Sequence, residues 1–376
     1  MAHKTYYILT LGCQMNKSDS ERVQTVLDGM GFSPAPDEDS ADLLGIIACS
    51  VRQKAIDKVY TRIYKWNKWK EKKNLVTFLT GCVLPADNER FLKLFDMVFT
   101  MNELPEFPEM LGQYGMVTAY SVTGQHRSAD IISTAGKTEK ETVPILTGKT
   151  GGDTRSVMDR FWHIQPTYHS PFEAFVPIQN GCDKFCTFCA VPYTRGREVS
   201  RPSREVLDEV AGLIDRDYKT ITLLGQNVNS YGLDRQGAEL SFAGLLEEIG
   251  KMGIRSGRKF WVYFTSPHPR DMKPEVIDVI ARYPHLARQI HLPIQSGDDH
   301  ILIRMNRKHS VEDYAVIADY IRKKLPDATL FTDIIVGFPR ETEEQFQDSL
   351  DLIKEIRPDI LNISKFWPRP KTEAAK

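Results

Sequence analysis

A chain of 376 residues with 41% hydrophobic and 26% charged side chains has the length for two domains and the balance of an ordinary globular protein, which excludes a disordered or low-complexity chain. No run of about 18 apolar residues occurs, and Met1-Ala2-His3-Lys4-Thr5 leads into a strand-like run without a signal core; both point to a cytoplasmic protein that makes no membrane contact. A net charge of −1 exerts no global pull on a polyanion, and six cysteines without a signal peptide read as two three-ligand sites better than as three disulfides.

In chain order, Tyr6 to Leu11 reads as a buried strand running into Gly12-Cys13-Gln14-Met15-Asn16. Ser18-x-x-Glu21 reads as a capping box, followed by Val23, Val26, Leu27 and Met30 at helical spacing before Gly31. Leu43 to Ala48 is a second expected strand, ending at Cys49, and Ser50-x-x-Gln53 caps a helix through Ile56, Val59 and Ile63. Leu75 to Leu79 is a third strand, ending in Thr80-Gly81-Cys82. Strand-helix-strand alternation predicts a parallel sheet, whose carboxyl edge then gathers Cys13, Cys49 and Cys82 from distant parts of the chain. Three unrelated buried cysteines is the plainer alternative.

Residues 102–171, with Pro105, Pro108 and a Ser/Thr/Gly/Lys-rich middle, read as an irregular linker. Gly148-Lys149-Thr150 within it is not a phosphate loop, because Val143 stands where that motif needs glycine.

From Ala174 apolar runs recur at intervals of roughly forty residues, with helical patterns between them: Phe175–Ile178, Ile221–Leu224, Phe260–Phe264, Ile290–Pro293, Leu330–Val336 and Ile360–Ile363. Six strand-helix units predict a partial β/α barrel, short of the eight that close a full one, with function at the strand carboxyl ends. The first end carries Cys182-x3-Cys186-x2-Cys189, which can ligate three corners of a cubane iron-sulfur cluster and leave one iron open; a zinc site would want a fourth ligand nearby. Later ends carry Gly225-Gln226-Asn227, Thr265-Ser266-Pro267-His268, Gln295-Ser296-Gly297 and Gly337-Phe338-Pro339, each of which could also be an ordinary turn.

These residues resemble the radical S-adenosylmethionine superfamily, whose signature is the spacing of Cys182, Cys186 and Cys189. The chain is similar, more closely, to the methylthiotransferase family. Thr10-Leu11-Gly12-Cys13-Gln14-Met15-Asn16, Cys49-Ser50-Val51-Arg52, Gly81-Cys82, Pro192-Tyr193-Thr194-Arg195-Gly196, Leu224-Gly225-Gln226-Asn227-Val228, His291 to Gly297 and Asp333 to Pro339 carry the likeness. The Gly-Cys-Gln-Met-Asn block points to the tRNA branch, MiaB-like. The fold the resemblance implies is an α/β chain with an N-terminal Rossmann-like domain over 1–101, a linker over 102–171 and the partial barrel over 172–376. The TRAM-type RNA-binding domain usual in the family is expected to be absent.

The resemblance implies two 4Fe-4S clusters. Cys182, Cys186 and Cys189 would hold the one that chelates S-adenosylmethionine and yields a deoxyadenosyl radical; Cys13, Cys49 and Cys82 would hold an auxiliary one carrying the sulfur to be inserted. One S-adenosylmethionine would methylate that sulfur and a second would remove hydrogen from carbon 2 of the target adenine, N-6-isopentenyladenosine at position 37 in the tRNA anticodon loop. Gln226 lies where many relatives have a cofactor-binding glutamate, and Ser266, Gln295, Arg307 and Phe338 are further cofactor candidates by position. Arg195, Arg197, Arg201 and Arg204, beside the cysteine loop, and the Lys65-to-Lys73 run with Trp66 and Trp69 are candidate RNA contacts. A flavodoxin- or ferredoxin-like electron donor and a monomeric state complete the expectation, with the sulfur source left open. A threonylcarbamoyladenosine or ribosomal-protein methylthiotransferase is the rival within the enzyme class; an iron-sulfur electron carrier and a zinc-stabilised RNA-binding module are rivals outside it.

Overall fold

The structure, a computed structural model, describes residues 4–49, 53–116 and 154–376. The chain divides into two compact units, Met1–His169 and Ser170–Lys376.

The first unit is built on five parallel strands: β1 (Thr5–Leu11), β2 (Ser33–Pro34), β3 (Leu43–Cys49), β4 (Val76–Cys82) and β5 (Met97–Val98), in the order β2-β1-β3-β4-β5. Every residue of β3 and β4 is buried, as continuous apolar runs in a covered parallel sheet require. The helix Gln53–Lys70 turns Ile56, Val59, Ile63 and Trp66 onto this core at three- and four-residue spacing. Opposite Phe78 in the register stands Gly45, where a Cβ would come within 2.1 Å of the Phe78 ring. The strand order reverses direction between β1 and β3, and such a reversal opens a crevice at the strands' carboxyl ends.

Two expectations about this unit are corrected. The first helix spans Gln14–Gly29, so Ser18 and Glu21 lie buried inside it rather than opening it. Its cap is Cys13 with Asn16, whose side chain accepts from the Cys13 backbone N–H (3.3 Å). In the span read as an irregular linker, Met101–Glu106, Phe107–Gln113 and Thr154–Trp162 are helical. Leu104, Phe107, Leu111, Phe161 and Trp162 are buried there, and Arg160 pairs with Glu106 at 2.7 Å. Ser50 and Gly148-Lys149-Thr150 lie outside the described residues.

In the second unit, β6 (Glu173–Pro177), β9 (Thr220–Leu224) and β10 (Trp261–Phe264) form one parallel sheet. A second is made by β11 (Gln289–His291), β12 (Thr329–Val336) and β13 (Ile360–Lys365). A bridge between Val262 and Leu286 links β10 to the segment entering β11, so the order across both is β6-β9-β10-β11-β12-β13. Between β6 and β9, the antiparallel pair β7 (Gln179–Asn180) and β8 (Val199–Ser200) closes the base of the loop that holds Cys182, Cys186 and Cys189. Among the described residues no helix is long and apolar enough to cross a membrane.

Candidate active site: two cysteine trios

In the first unit Cys49 and Cys82 are the last residues of adjacent strands and direct partners in the register. Cys13 follows β1 by two residues and caps the Gln14–Gly29 helix. Cys49 and Cys82 are buried and Cys13 is exposed. The three thus share one sheet edge, at the reversal between β1 and β3. Among the described residues no three His, Cys, Asp or Glu side chains are drawn tightly enough around one point for a single metal ion. A cubane cluster, whose irons stand apart at its corners, takes more widely spread sulfurs.

The second trio sits in a loop fixed from several sides. Gly181 turns into it at φ +83°, and a Cβ there would lie 2.0 Å from the Arg197 carbonyl oxygen, so the turn requires glycine. Backbone N–H groups already face two of the sulfurs: Val191 N–H donates to Cys189 Sγ (3.5 Å) and that of Lys184 to Cys182. Such donors suit a cluster thiolate. Burial, reinforced by the neighbouring cysteines, pushes the Cys182 thiol up to about 11 and the Cys189 thiol up to about 12.

The segment Arg304 to Arg307, just after the helix Asp299–Arg304, grips this loop. Met305 O accepts from Thr187 N–H (3.1 Å) and Arg304 O from the Thr187 hydroxyl (2.9 Å). Asn306 Nδ2 donates to Lys184 O (3.2 Å) and Phe185 O (2.9 Å), holding Phe185 at φ +50°. Arg307, buried, donates from Nη1 to Cys186 Sγ (3.6 Å) and from Nη2 to Pro293 O (2.5 Å). On the other side Lys184 reaches Asp271 at 2.6 Å, and Asp271 also accepts from Asn227 Nδ2 (3.0 Å). Burial pushes the Asp271 carboxyl up, but the hydrogen bonds from Lys184 and Asn227 outweigh it and hold it below the usual range.

The expected cofactor contacts fall around this loop with unequal freedom. The Gln226 carbonyl accepts from Gly181 N–H (2.5 Å), so it ties the end of β9 to the cysteine turn. Ser266 and Gln295 hold left-handed backbone, φ +60° and +81°, an uncommon conformation for such residues that concentrates at functional sites. Phe338 is buried with Met305, Ile301 and Phe188. Among the described residues, Asn227 Oδ1, His268 Nε2, His309 Nε2, Arg307 Nε and Glu198 Oε2 are buried polar atoms in this region with no hydrogen-bond partner. Arg270 N–H donates to His268 Nδ1, so Nε2 carries the proton, and burial together with the Arg307 cation keeps the ring neutral. Unpaired buried polar atoms of this kind fit a polar, multiply hydrogen-bonding ligand. Lys184, Asp271, Asn306 and His309 do not stand out in the sequence, because a loop lysine, aspartate, asparagine or histidine carries no signal until its partner is known.

The candidate RNA contacts separate. Arg201 is 1% exposed, its guanidinium held by Glu209 and by Glu205 at 3.3 Å, so it is part of the core and not an RNA contact. Arg195 is likewise buried, with Nη1 on Asn180 Oδ1 (3.3 Å). Arg197 is exposed, pairs with Asp183 (3.0 Å) and lies over the Phe185 ring (5.2 Å); Arg204 is more exposed still. In the Lys65-to-Lys73 run, Trp66 is fully buried and donates to Glu38 (2.9 Å), and Lys70 pairs with Asp96. Trp69 stays half-buried, with the Lys65 and Lys73 ammonium groups 4.6 and 5.5 Å from its ring centroid.

Residues 176–353 match the model of the radical SAM superfamily, and residues 5–101 that of the uncharacterized protein family UPF0004. A protein from Geobacter metallireducens named tRNA-2-methylthio-N(6)-dimethylallyladenosine synthase is 40% identical over 99% of this chain and 78% of its own length. A protein of the same name from Carboxydothermus hydrogenoformans is 39% identical over 100% of this chain and 79% of its own. In fold the chain is similar to the radical S-adenosylmethionine methyltransferase TsrM from Kitasatospora setae, with a TM-score of 0.58 at 13% identity over 99% of this chain and 75% of that one. It is similar too to the cobalamin-dependent S-adenosylmethionine radical enzyme OxsB, with a TM-score of 0.59 at 12% identity over 99% of this chain and 55% of that one.

Proposed function

The chain belongs to the tRNA-2-methylthio-N(6)-dimethylallyladenosine synthase family of radical S-adenosylmethionine enzymes, and from that premise we propose that it attaches a methylthio group to carbon 2 of N(6)-dimethylallyladenosine in the tRNA anticodon loop, at position 37. The observation that carries the reading is the extent of the likeness: it runs over 99% of the chain, so both cysteine trios lie inside it.

The six parallel strands of the second unit are read as a partial barrel, its mouth at the strand carboxyl ends. There Cys182, Cys186 and Cys189 are the residues that would ligate one 4Fe-4S cluster, and Cys13, Cys49 and Cys82 those that would ligate an auxiliary one. Bound there, the clusters would supply the electron that cleaves S-adenosylmethionine and carry the sulfur to be transferred. The chain's own part is binding and orientation. Asn306 and Arg307 fix the loop, Lys184 anchors it to Asp271, and Asn227, His268 and His309 present polar atoms to the cofactor. Ser266, Gln295 and Phe338 are read as further cofactor contacts, and Arg197 and Arg204, exposed though paired with Asp183 and Asp208, as the arginines that would meet RNA phosphate. An electron donor of the flavodoxin or ferredoxin class is the remaining partner, acting on a monomer.

Mass spectrometry of tRNA nucleosides, from a strain lacking its own enzyme and complemented with this chain, tests the reading. The expected product is 2-methylthio-N(6)-dimethylallyladenosine. A methylthio group found only on threonylcarbamoyladenosine would assign the rival substrate, and unmodified tRNA from protein loaded with iron in both units would overturn the assignment.

A further inference from the structure

Asn16 is fully buried one turn into the helix Gln14–Gly29, and its single amide meets all three turns that carry the first cysteine trio. Its Oδ1 accepts from Cys13 N–H at 3.3 Å and lies 3.6 Å from Cys13 Sγ. Its Nδ2 donates to Ala48 O at 3.4 Å, one residue before Cys49, and to Asp19 Oδ2 at 3.4 Å. The third turn is shaped around the same group. Gly81, one residue before Cys82, has φ +104°, and a Cβ there would stand 3.1 Å from Asn16 Nδ2 and 2.5 Å from Ala48 O. Gly12, one residue before Cys13, would drive a Cβ to 2.0 Å from Asn16 Oδ1. The glycine before Cys13 leaves room for this amide, and the glycine before Cys82 for the amide and for the Ala48 backbone beside it, so one side chain that also completes the helix cap stands where the three cysteine turns converge.

We propose that Asn16 is the positioning residue of the first trio. It sets the spacing of the Cys13, Cys49 and Cys82 turns so that their sulfurs meet one cluster, and it does so without itself being a ligand. An amide suits the task because it offers an acceptor to the Cys13 N–H and a donor to the Ala48 carbonyl from opposite sides of one rigid plane. A carboxylate of the same shape keeps the acceptor and turns the donor into a second acceptor, facing the Ala48 carbonyl and the Asp19 carboxylate.

The inference rests on the reading that the first trio holds a cluster, and its test keeps the two apart. The full chain with Cys182, Cys186 and Cys189 all replaced by alanine is reconstituted anaerobically with iron and sulfide, then assayed for iron, electron paramagnetic resonance and thermal unfolding. Failure of this parent to bind iron would sink the cluster reading itself. With the parent loaded, Asn16→Asp and Asn16→Ala are expected to remain folded in the iron-free state, at a lowered unfolding temperature, and to release iron to a chelator at least tenfold faster and with an altered resonance signal. Iron retention and spectra equal to the parent's in both variants would overturn the proposal. So would loss of the iron-free fold in both, which would make Asn16 a residue of the core alone.

Discussion

Lys184 and Asp271 form an ion pair of 2.6 Å with both side chains buried, joining the cysteine loop to the turn after β10. Removing one partner of such a pair leaves an uncompensated charge inside the protein, at a cost of about 3–5 kcal/mol. Lys184→Met is therefore expected to destabilise the second unit by that order, read by chemical or thermal unfolding. Asp271 titrates below the usual carboxylate value of 3.8, so the stabilisation it provides is complete above that pH and is lost as pH falls through its lower folded value. Without Lys184 the largest hydrogen-bonding influence holding it down is gone and burial remains. The acid-unfolding transition of the variant should shift to higher pH, and an unshifted transition would show that the lysine adds nothing to the pair.

Cluster loading at the second trio should depend on pH. Burial raises the Cys182 and Cys189 thiols to about 11 and about 12, so both are protonated at neutral pH and each must give up a proton to bind iron. Each proton released raises the affinity about tenfold per pH unit, so two give roughly a hundredfold. Iron incorporation into Cys13→Ala/Cys49→Ala/Cys82→Ala protein, followed at limiting iron, is expected to rise steeply from about pH 6.5 to about pH 8.5. A flat profile would mean that the thiols are already ionised in the iron-free chain.

Three of the arginines beside that loop, Arg201, Arg197 and Arg204, should behave as two classes. Arg201→Ala removes the cation facing buried Glu209 and should cost about 3–5 kcal/mol, with unfolding as the readout. Arg197→Ala and Arg204→Ala remove exposed charge, whose ion pairs contribute about 0–1 kcal/mol, so stability should barely change. If they meet tRNA phosphates, each variant should weaken binding and lower the slope of affinity against salt by about one. Equal salt slopes for both variants and the parent would remove these two positions from the RNA surface.

What the amino-acid sequence reveals of this fold and site depends on how local each residue's partners are. The places of Cys13, Cys49 and Cys82 at strand ends are legible because the strands before them are, and β3 above all is because it is a continuous apolar run. The start of the first helix is not, because Ser18-x-x-Glu21 fits a degenerate capping pattern, whereas a cysteine cap completed by Asn16 does not stand out. Arg201 passes for a surface cation because four nearby arginines look alike until Glu209, two turns along the helix Ser203–Asp215, is seen to bury one of them. Trp66 hides in a basic run in the same way: its helical phase, set by Val59 and Ile63, turns it inward. Asn306 and Lys184 leave no local trace at all, since their meaning lies in contacts with carbonyls and a carboxylate distant in sequence.

Arg307 offers the sharpest test of how the protein tunes the second trio. Its guanidinium is buried, with one N–H on Cys186 Sγ and another on Pro293 O. A fixed cation donating to a ligand sulfur favours the more negative, reduced state of an iron-sulfur cluster, so it raises the reduction potential. Arg307→Met, close in volume but without charge or donor, should lower the potential of that cluster in a redox titration followed by electron paramagnetic resonance. Arg307→Lys retains the charge but not the two-pronged geometry, and should recover part of the shift while leaving Pro293 O or the sulfur without its donor. A purely structural arginine would give a different pattern: both variants less stable, and the potential of the surviving cluster unchanged.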